Sequence, residues 1–355
     1  MKTELLKVTT ENLYSQTEQS FLDQAARLLR AGEVVAFPTE TVYGLGANGM
    51  DAEASGKIYA AKGRPSDNPL ILHIADFAQL DGIAKDISED AWKIMKAFWP
   101  GPMTIVLNKK EEVPKETTGG LNTVAIRMPS HPVARELILK TGLPIAAPSA
   151  NRSGRPSPTE ASHVMEDMEG HIPMIIDGDK VGIGIESTII DMTGDKPVIL
   201  RPGYITPEMV DEVVSGVSID PAILGGPMAA GMKPKAPGMK YRHYAPAGDM
   251  WLVEGDNDKV VAKINELTGE KQKEGYRVAI IGTDENIELY HADVVKNIGS
   301  RKDPESIAAN LYGTLREMDQ LGVQIIYGES FEEGEFYGAI RNRILKAAGY
   351  QVLKV

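Results

Sequence analysis

Cysteine is absent from the 355 residues. Disulfides, thiolate nucleophiles and thiolate metal sites are excluded together, and such a chain fits a reducing compartment. No apolar run approaches the roughly 20 residues that a membrane-spanning helix needs. The opening MKTELLKVTTENLY lacks the apolar core of a secretory signal. The expectation is a cytoplasmic protein without membrane association. Histidine is scarce, at six residues, so an imidazole-based mechanism has few candidates. Positive charge is also outweighed: the net charge of −12 argues against coating nucleic acid through the overall field. A local basic groove stays open.

Several reaction classes fall with missing motifs. There is no G-x-x-x-x-G-K-[ST], so a P-loop is excluded. No serine sits in a G-x-S-x-G elbow. No H-E-x-x-H or His/carboxylate pair at ligand spacing supports an intrinsic metal site.

What is present is a globular composition, 42% hydrophobic and 25% charged, on a chain long enough for two domains. Thr17 is placed to cap a helix whose apolar residues Phe21, Leu22, Ala25, Leu28 and Leu29 share one face, with Gly32 ending it. Strands are expected at 34–37, 70–74, 103–107, 124–127, 145–147, 174–176, 188–191 and 198–200. Helices are expected at 52–61 and 89–98. Several strands follow one another without a crossover helix, which points to an α/β sheet of mixed direction. Residues 225–248 are rich in Gly and Pro, without period, and carry Lys233, Lys235, Lys240, Arg242 and His243 with no acidic residue. A passive spacer has no need of Tyr241 and Tyr244 among the cations. Beyond it, strands at 250–253, 278–281 and 323–327 alternate with helices at 258–267, 306–321 and 335–348. The division is therefore 1–224, a linker at 225–248 and a smaller domain at 249–355. No G-x-G-x-x-G follows Gly282 or Gly328, which argues against a dinucleotide site in the second domain.

Four clusters in the first domain bear chemistry. Pro38-Thr39-Glu40-Thr41-Val42-Tyr43-Gly44-Leu45-Gly46 follows a buried strand, and ligands of open α/β sheets gather at the carboxyl ends of strands. A turn with a helix cap is the alternative. Lys62-Gly63-Arg64-Pro65-Ser66-Asp67-Asn68-Pro69-Leu70 is a stiff cationic loop suited to phosphate oxygens, although cations also favour helix C-termini. It runs into a strand carrying His73. The segment from Ala147 to Ser157 brings hydroxyl, amide and guanidinium groups into one loop, including Ser149, Asn151, Arg152 and Arg155. Its end, Ser157-Pro158-Thr159-Glu160, has the form of a capping box, and a helix N-terminus is itself an anion site. The fourth is Gly182-Ile183-Gly184-Ile185-Glu186-Ser187-Thr188, followed by a strand and Arg201-Pro202-Gly203. Together these residues suit positioning reactants and neutralising phosphate charge, not covalent attack.

PTETVYGLG, KGRPSDNPLILHI, A-P-S-A-N, G-I-E-S-T and R-P-G, in register from about 15 to about 247, resemble the YrdC/Sua5 family of threonylcarbamoyl-AMP synthases. The linker PGMKYRHYAP resembles that of the long, Sua5-type members. The resemblance implies a twisted open α/β sheet with a basic concave groove, followed by a Rossmann-like second domain. It implies synthesis of L-threonylcarbamoyl-AMP from L-threonine, bicarbonate and ATP, with release of pyrophosphate. The product would serve N6-threonylcarbamoylation of adenosine 37 in tRNA through a downstream transferase machinery. Thr39, His73, Arg127, Ala147 and Ser187 correspond to the threonine side. Arg64, Asn68, Thr123, Ser149, Asn151, Ser157 and Arg201 correspond to the ATP side, with Lys62 near the phosphates and Tyr241 and His243 supplied by the linker as an active-site lid. Lys62 and Arg64 would offset charge developing in the reaction, and Mg2+ is expected to arrive with ATP. The competing reading is an RNA-binding module using the basic groove. Net charge and the lack of an RNP, KH or zinc-finger pattern weigh against stable nucleic-acid binding.

Overall fold

The computed structural model describes residues 1–224, 236–237, 244–331 and 335–355. These fall into two compact units: Met1–Ser153, Ser157–Gly182 and the described part of Glu186–Tyr241 form one, and Gly154–Pro156, Ile183–Ile185 and the described part of Arg242–Val355 the other. No described helix is long and apolar enough to cross a membrane.

The first unit is built on a sheet of twelve strands. Its central neighbours run Gly44–Asn48, Ile145–Ala146, Ile71–His73, Thr123–Arg127, Met103–Lys109, Thr188–Asp191 and Val198–Arg201. Ile71–His73 is parallel to Thr123–Arg127, which is antiparallel to Met103–Lys109, which is parallel to Thr188–Asp191. The sheet is mixed, as the run of strands without crossover helices predicts. Alternation gives it two kinds of face. Leu72, Ile126, Ile105 and Ile190 point into the main core with Leu45, Ile58 and Ile94. The other face carries a smaller cluster of Ile71, Ala125, Val106, Ile189 and Leu200, and beside it the polar positions described below.

Two local expectations give way. The first long helix is Gln16–Arg30, and Ser15, not Thr17, caps it by accepting from the Glu18 amide at 3.2 Å. Either hydroxyl suits the role, but Ser15 alone has the extended backbone a cap requires. The glycine-bearing segment after Thr39 is also more than a turn, because Gly44–Asn48 is a strand. A Cβ on Gly46 would lie 2.6 Å from the Phe37 ring, so only glycine lets that strand pass.

The second unit is an all-parallel five-stranded sheet in the order Val294–Asn297, Val278–Gly282, Ile325–Glu329, Asp249–Glu254, Val352–Lys354. Helix Asn257–Lys273 packs Val260 and Ile264 against Val253, Val278 and Ile280. The edge strands Val294–Asn297 and Val352–Lys354 are short and half-exposed, so they lack the apolar runs by which the interior strands announce themselves.

Candidate active site

Register places three polar side chains at one level of the first sheet. His73 ends its strand opposite Arg127, and Arg127 stands opposite Thr104. Directly paired residues share a face, so this band lies on the face opposite the main core. Arg127 is 4% exposed. Its Nη1 donates to Thr41 Oγ1 at 2.9 Å, and its Nε reaches the Gly101 carbonyl at 3.4 Å. Nη2 lies 2.7 Å from Glu40 Oε1. That contact is an ion pair off the hydrogen-bond axis: neither Nη2 nor either Glu40 oxygen completes an aligned hydrogen bond with a described residue. Burial pushes the Glu40 carboxyl upward and is the largest single influence, but the Arg127 charge and the nearby donors together outweigh it and hold Glu40 below the usual carboxylate range.

Thr39 fixes the turn that delivers Glu40 and Thr41. Its hydroxyl donates to the Val42 carbonyl at 2.7 Å, accepts from the Thr41 and Val42 amides, and lies 2.9 Å from Thr41 Oγ1. His73 is buried, with Nδ1 3.1 Å from the Ile71 carbonyl and its ring edge-on to Phe37. Burial, reinforced by the neighbouring Arg127 charge, pushes its pKa down to about 3. The imidazole is neutral at physiological pH and serves as a hydrogen-bonding wall rather than a cation. On the other side of Arg127, Thr104 Oγ1 lies 2.7 Å from Ser187 Oγ, and Arg201 donates to the Ser187 hydroxyl at 3.1 Å and carbonyl at 3.0 Å. The band therefore runs His73, Arg127, Thr104, Ser187, Arg201 across adjoining strands.

The first and third sequence clusters converge through backbone pairing, and side chains join the other two to them. Leu45 N donates to Pro148 O, Ala150 N to Tyr43 O and Tyr43 N to Pro158 O, each at 2.8–2.9 Å. The 147–158 loop thus lies against Tyr43–Leu45, and the Cβ of Ala147 is where a Cβ on Gly44 would press, at 3.3 Å. Lys62, at the end of helix Ala52–Lys62, reaches into the same loop: Nζ donates to the Ser149 and Asn151 carbonyls and to Asn151 Oδ1. Ser149 Oγ donates to Asn151 Oδ1 at 2.5 Å. Gly63, left-handed at φ 59°, ends that helix and turns the chain toward Arg64.

Arg64 donates to the carbonyls of Asn68 and Pro69 at 3.4 and 3.1 Å. Buried Asn68 keeps an Oδ1 without a partner among the described residues. Thr123 opens the strand that Arg127 ends, roughly 13 Å away along an extended chain. Ser157 does not cap a helix. The helix is Ala161–Met168 with Glu160 at its N-cap, and the buried Ser157 hydroxyl donates to Glu186 Oε1 at 2.6 Å. Tyr241 and His243 lie outside the described residues. The linker enters the description at Ala236, which is fully buried in the apolar cluster of Ile71, Val106, Ala125, Ile189 and Leu200 on the same face as the polar band.

Glu40, Thr41, Thr104 and Glu186 join the site without having been singled out. Three of them stand inside quoted motifs. Thr104 left one signal, a hydroxyl in the otherwise apolar strand start Met103–Leu107. Among the described residues no group of three His, Asp or Glu side chains is arranged to hold a metal ion.

Comparison with known proteins bears on both units. A family model described as telomere recombination matches residues 27–203, and a threonylcarbamoyl-AMP synthase C-terminal domain matches 205–349. Threonylcarbamoyl-AMP synthase from Pyrococcus abyssi is 50% identical over 97% of this chain and 98% of its own. The protein of that name from Bacillus subtilis is 48% identical over 95% and 96%. The one from Schizosaccharomyces pombe is 40% identical over 93% and 88%. A crystal structure of P. abyssi Sua5 complexed with L-threonine superposes with a TM-score of 0.92 at 49% identity, covering 99% of this chain and 100% of that one.

Proposed function

The chain belongs to the YrdC/Sua5 family of threonylcarbamoyl-AMP synthases as a long, Sua5-type member and is an enzyme of the nucleotidyltransferase type; on that premise we propose that it joins L-threonine, bicarbonate and ATP into L-threonylcarbamoyl-AMP, releasing pyrophosphate. The product supplies N6-threonylcarbamoylation of adenosine 37 in tRNA. The observation that carries this reading is the buried Arg127 guanidinium, whose Nη2 meets a carboxylate and completes no aligned hydrogen bond. A buried guanidinium edge so disposed suits the bidentate grip of an amino-acid carboxylate. The P. abyssi relative was solved with L-threonine, in line with that use.

In this reading Thr39, neutral His73, the backbone at Ala147 and Ser187 complete the threonine side. Arg64, Asn68, Thr123, Ser149, Asn151, Ser157 and Arg201 face the nucleotide, while Lys62 holds the Ser149–Asn151 loop from below and adds its charge. Threonine's neutral amine adds to the carbon of bicarbonate, and a C–O bond breaks with loss of water to give N-carboxythreonine, whose new N-carboxylate is the nucleophile. The resulting carboxylate attacks the α-phosphorus, and pyrophosphate departs in line. Mg2+ travels with the triphosphate and shares its charge. Lys62 and Arg64 are held by backbone carbonyls before any substrate arrives, and cations fixed in advance cost little reorganisation as charge develops. The linker, anchored on the site face by Ala236, closes over the nucleotide with Tyr241 and His243.

The decisive assay incubates the protein with ATP, L-threonine and bicarbonate and measures pyrophosphate with a threonylcarbamoyl adenylate. Salt-dependent RNA binding with no such product would sink the proposal. Arg64→Ala is expected to lower pyrophosphate release at saturating threonine by 10²-fold or more, on the order of a lost charge-stabilising donor; unchanged turnover removes Arg64 from its role. Deleting residues 233–246 is expected to raise the ATP KM more than removing the last domain does. Equal effects argue against a lid.

A further inference from the structure

The second unit holds a cavity of about 570 Å³, lined by Val253, Glu254, Asn257, Arg301, Phe331 and Arg341 among others. Its volume is that of a small-molecule site, and its position follows from topology. From Asp249–Glu254 the chain crosses through helix Asn257–Lys273 to one side of the sheet, reaching Val278–Gly282. From the adjacent strand Ile325–Glu329 it crosses through helix Glu335–Ala347 to the other side, reaching Val352–Lys354. Neighbouring strands whose connections depart in opposite directions leave a crevice at their carboxyl ends, and ligands of open parallel sheets occupy that crevice.

The walls are built for binding. Glu329, 1% exposed, accepts five hydrogen bonds: from Thr283 N and Oγ1, from the Tyr290 hydroxyl, and from Arg301 Nε and Nη2. A carboxylate so saturated has no capacity left for a ligand. Its effect is to lock the fork of Arg301, which also donates to Ser330 O and lies over the Phe331 ring at 5.1 Å. Arg301 Nη1 makes no hydrogen bond with any described residue, and Arg301 lines the cavity. Arg341 enters from the other wall, held through Nη2 by Glu254 at 3.0 Å. Gly255 and Asn257, at the start of the 17-residue helix Asn257–Lys273, line the same cavity, and the N-cap Asp256 makes no side-chain hydrogen bond to the first turn. Uncapped amides at a helix N-terminus attract an oxyanion. Glu254 and Glu285 also line the walls; Glu254 accepts from Arg341 and Ser330 through Oε2, and Glu285 from the Ser300 hydroxyl and the Arg301 amide.

We propose that this cavity binds a small organic oxyanion, a phosphate or carboxylate gripped by Arg301, Arg341 and the first turn of helix Asn257–Lys273, with N–H or O–H groups of the same molecule donating to Glu254 and Glu285. The site lies within the second unit and does not depend on the reading of the first.

Calorimetric titration of the full chain with AMP, L-threonine and inorganic phosphate in turn, with crystals soaked in each, tests it. In a background carrying Arg127→Ala and Arg64→Ala, which removes the proposed threonine and nucleotide contacts of the first unit, the expected result is a binding event that weakens at least tenfold in Arg301→Ala and in Arg341→Ala, and recovers in part with Arg301→Lys. Density between the two arginines should accompany it. Binding of AMP and phosphate but not threonine identifies a phosphorylated ligand; binding of threonine alone identifies an amino-acid carboxylate. Arg301→Ala leaves Glu329 buried without its cation, so unfolding is followed in parallel. Where that variant does not fold, Arg341→Ala carries the test, because the partly exposed Glu254 keeps Lys354 nearby. No event with any probe in that background, or an event there indifferent to both arginines, overturns the proposal.

Discussion

Arg127 concentrates the residue-scale logic of the first unit. Its charge is neutralised by Glu40, while its directional donors are only partly used. A bound carboxylate therefore competes with Glu40 for a guanidinium that needs no reorientation, and geometry rather than net charge sets the preference. Arg127→Lys keeps the charge and removes the planar fork. We expect it to raise the threonine KM at least tenfold with the ATP KM changed less than about twofold, the loss of one charge-assisted hydrogen bond being worth roughly 1.5–3 kcal/mol. Steady-state kinetics with each substrate varied checks the split; equal rises in both would show that Arg127 is structural. The residue type, and its place at a strand's carboxyl end, were legible in the sequence. The contacts with Glu40 and Thr41 were not, because they join positions some 86 residues apart and depend on register that no single strand reveals.

At the scale of elements, periodicity served where a strand or helix has one buried face and failed where packing overrides propensity. Strand Gly44–Asn48 is poor in strand formers, yet it forms because Val35–Phe37 pairs with it and glycine lets Phe37 lie against it. Ser157 reads as a cap, yet Pro158 does not open a helix and the hydroxyl turns to Glu186 instead. Lys62 reads as a phosphate ligand by position, while its ammonium also ties helix Ala52–Lys62 to the loop that presents Ser149 and Asn151. Lys62→Met fills similar space but strands two carbonyls. It is expected to cost about 1–3 kcal/mol of stability and to raise the ATP KM, since the loop loses its anchor. Denaturant unfolding and kinetics measure the two effects. A variant with weakened catalysis and undiminished stability would show that Lys62 acts on the phosphates alone.

For the molecule as a whole, buried titratable groups tie stability to pH. His73 carries a pKa of about 3 against an ordinary 6.5, from burial first and then from Arg127, and burial also lowers His131. Folded His73 stays neutral down toward that value, folded His131 is harder to protonate than an ordinary histidine, and both take up protons readily when unfolded. Their contribution is complete above about pH 6.5 and is lost as pH falls toward the folded values. Glu40 behaves differently: held below its ordinary 4.5 by Arg127 despite burial, it withdraws stability only once pH drops beneath that value. Acid destabilisation should therefore come in two stages, a histidine stage between about pH 6.5 and 4.5 and a steeper carboxylate stage below. Each neutral-buried histidine contributes a slope of up to about 1.4 kcal/mol per pH unit in the first stage. His73→Gln should remove one such slope from about pH 6.5 down to about 3, leaving the His131 share and the Glu40 contribution in place, whatever it does to stability at neutral pH. Urea unfolding measured at intervals through both windows reads this directly. An unchanged slope in His73→Gln would mean that His73 is protonated in the folded protein and cannot act as a neutral wall beside Arg127.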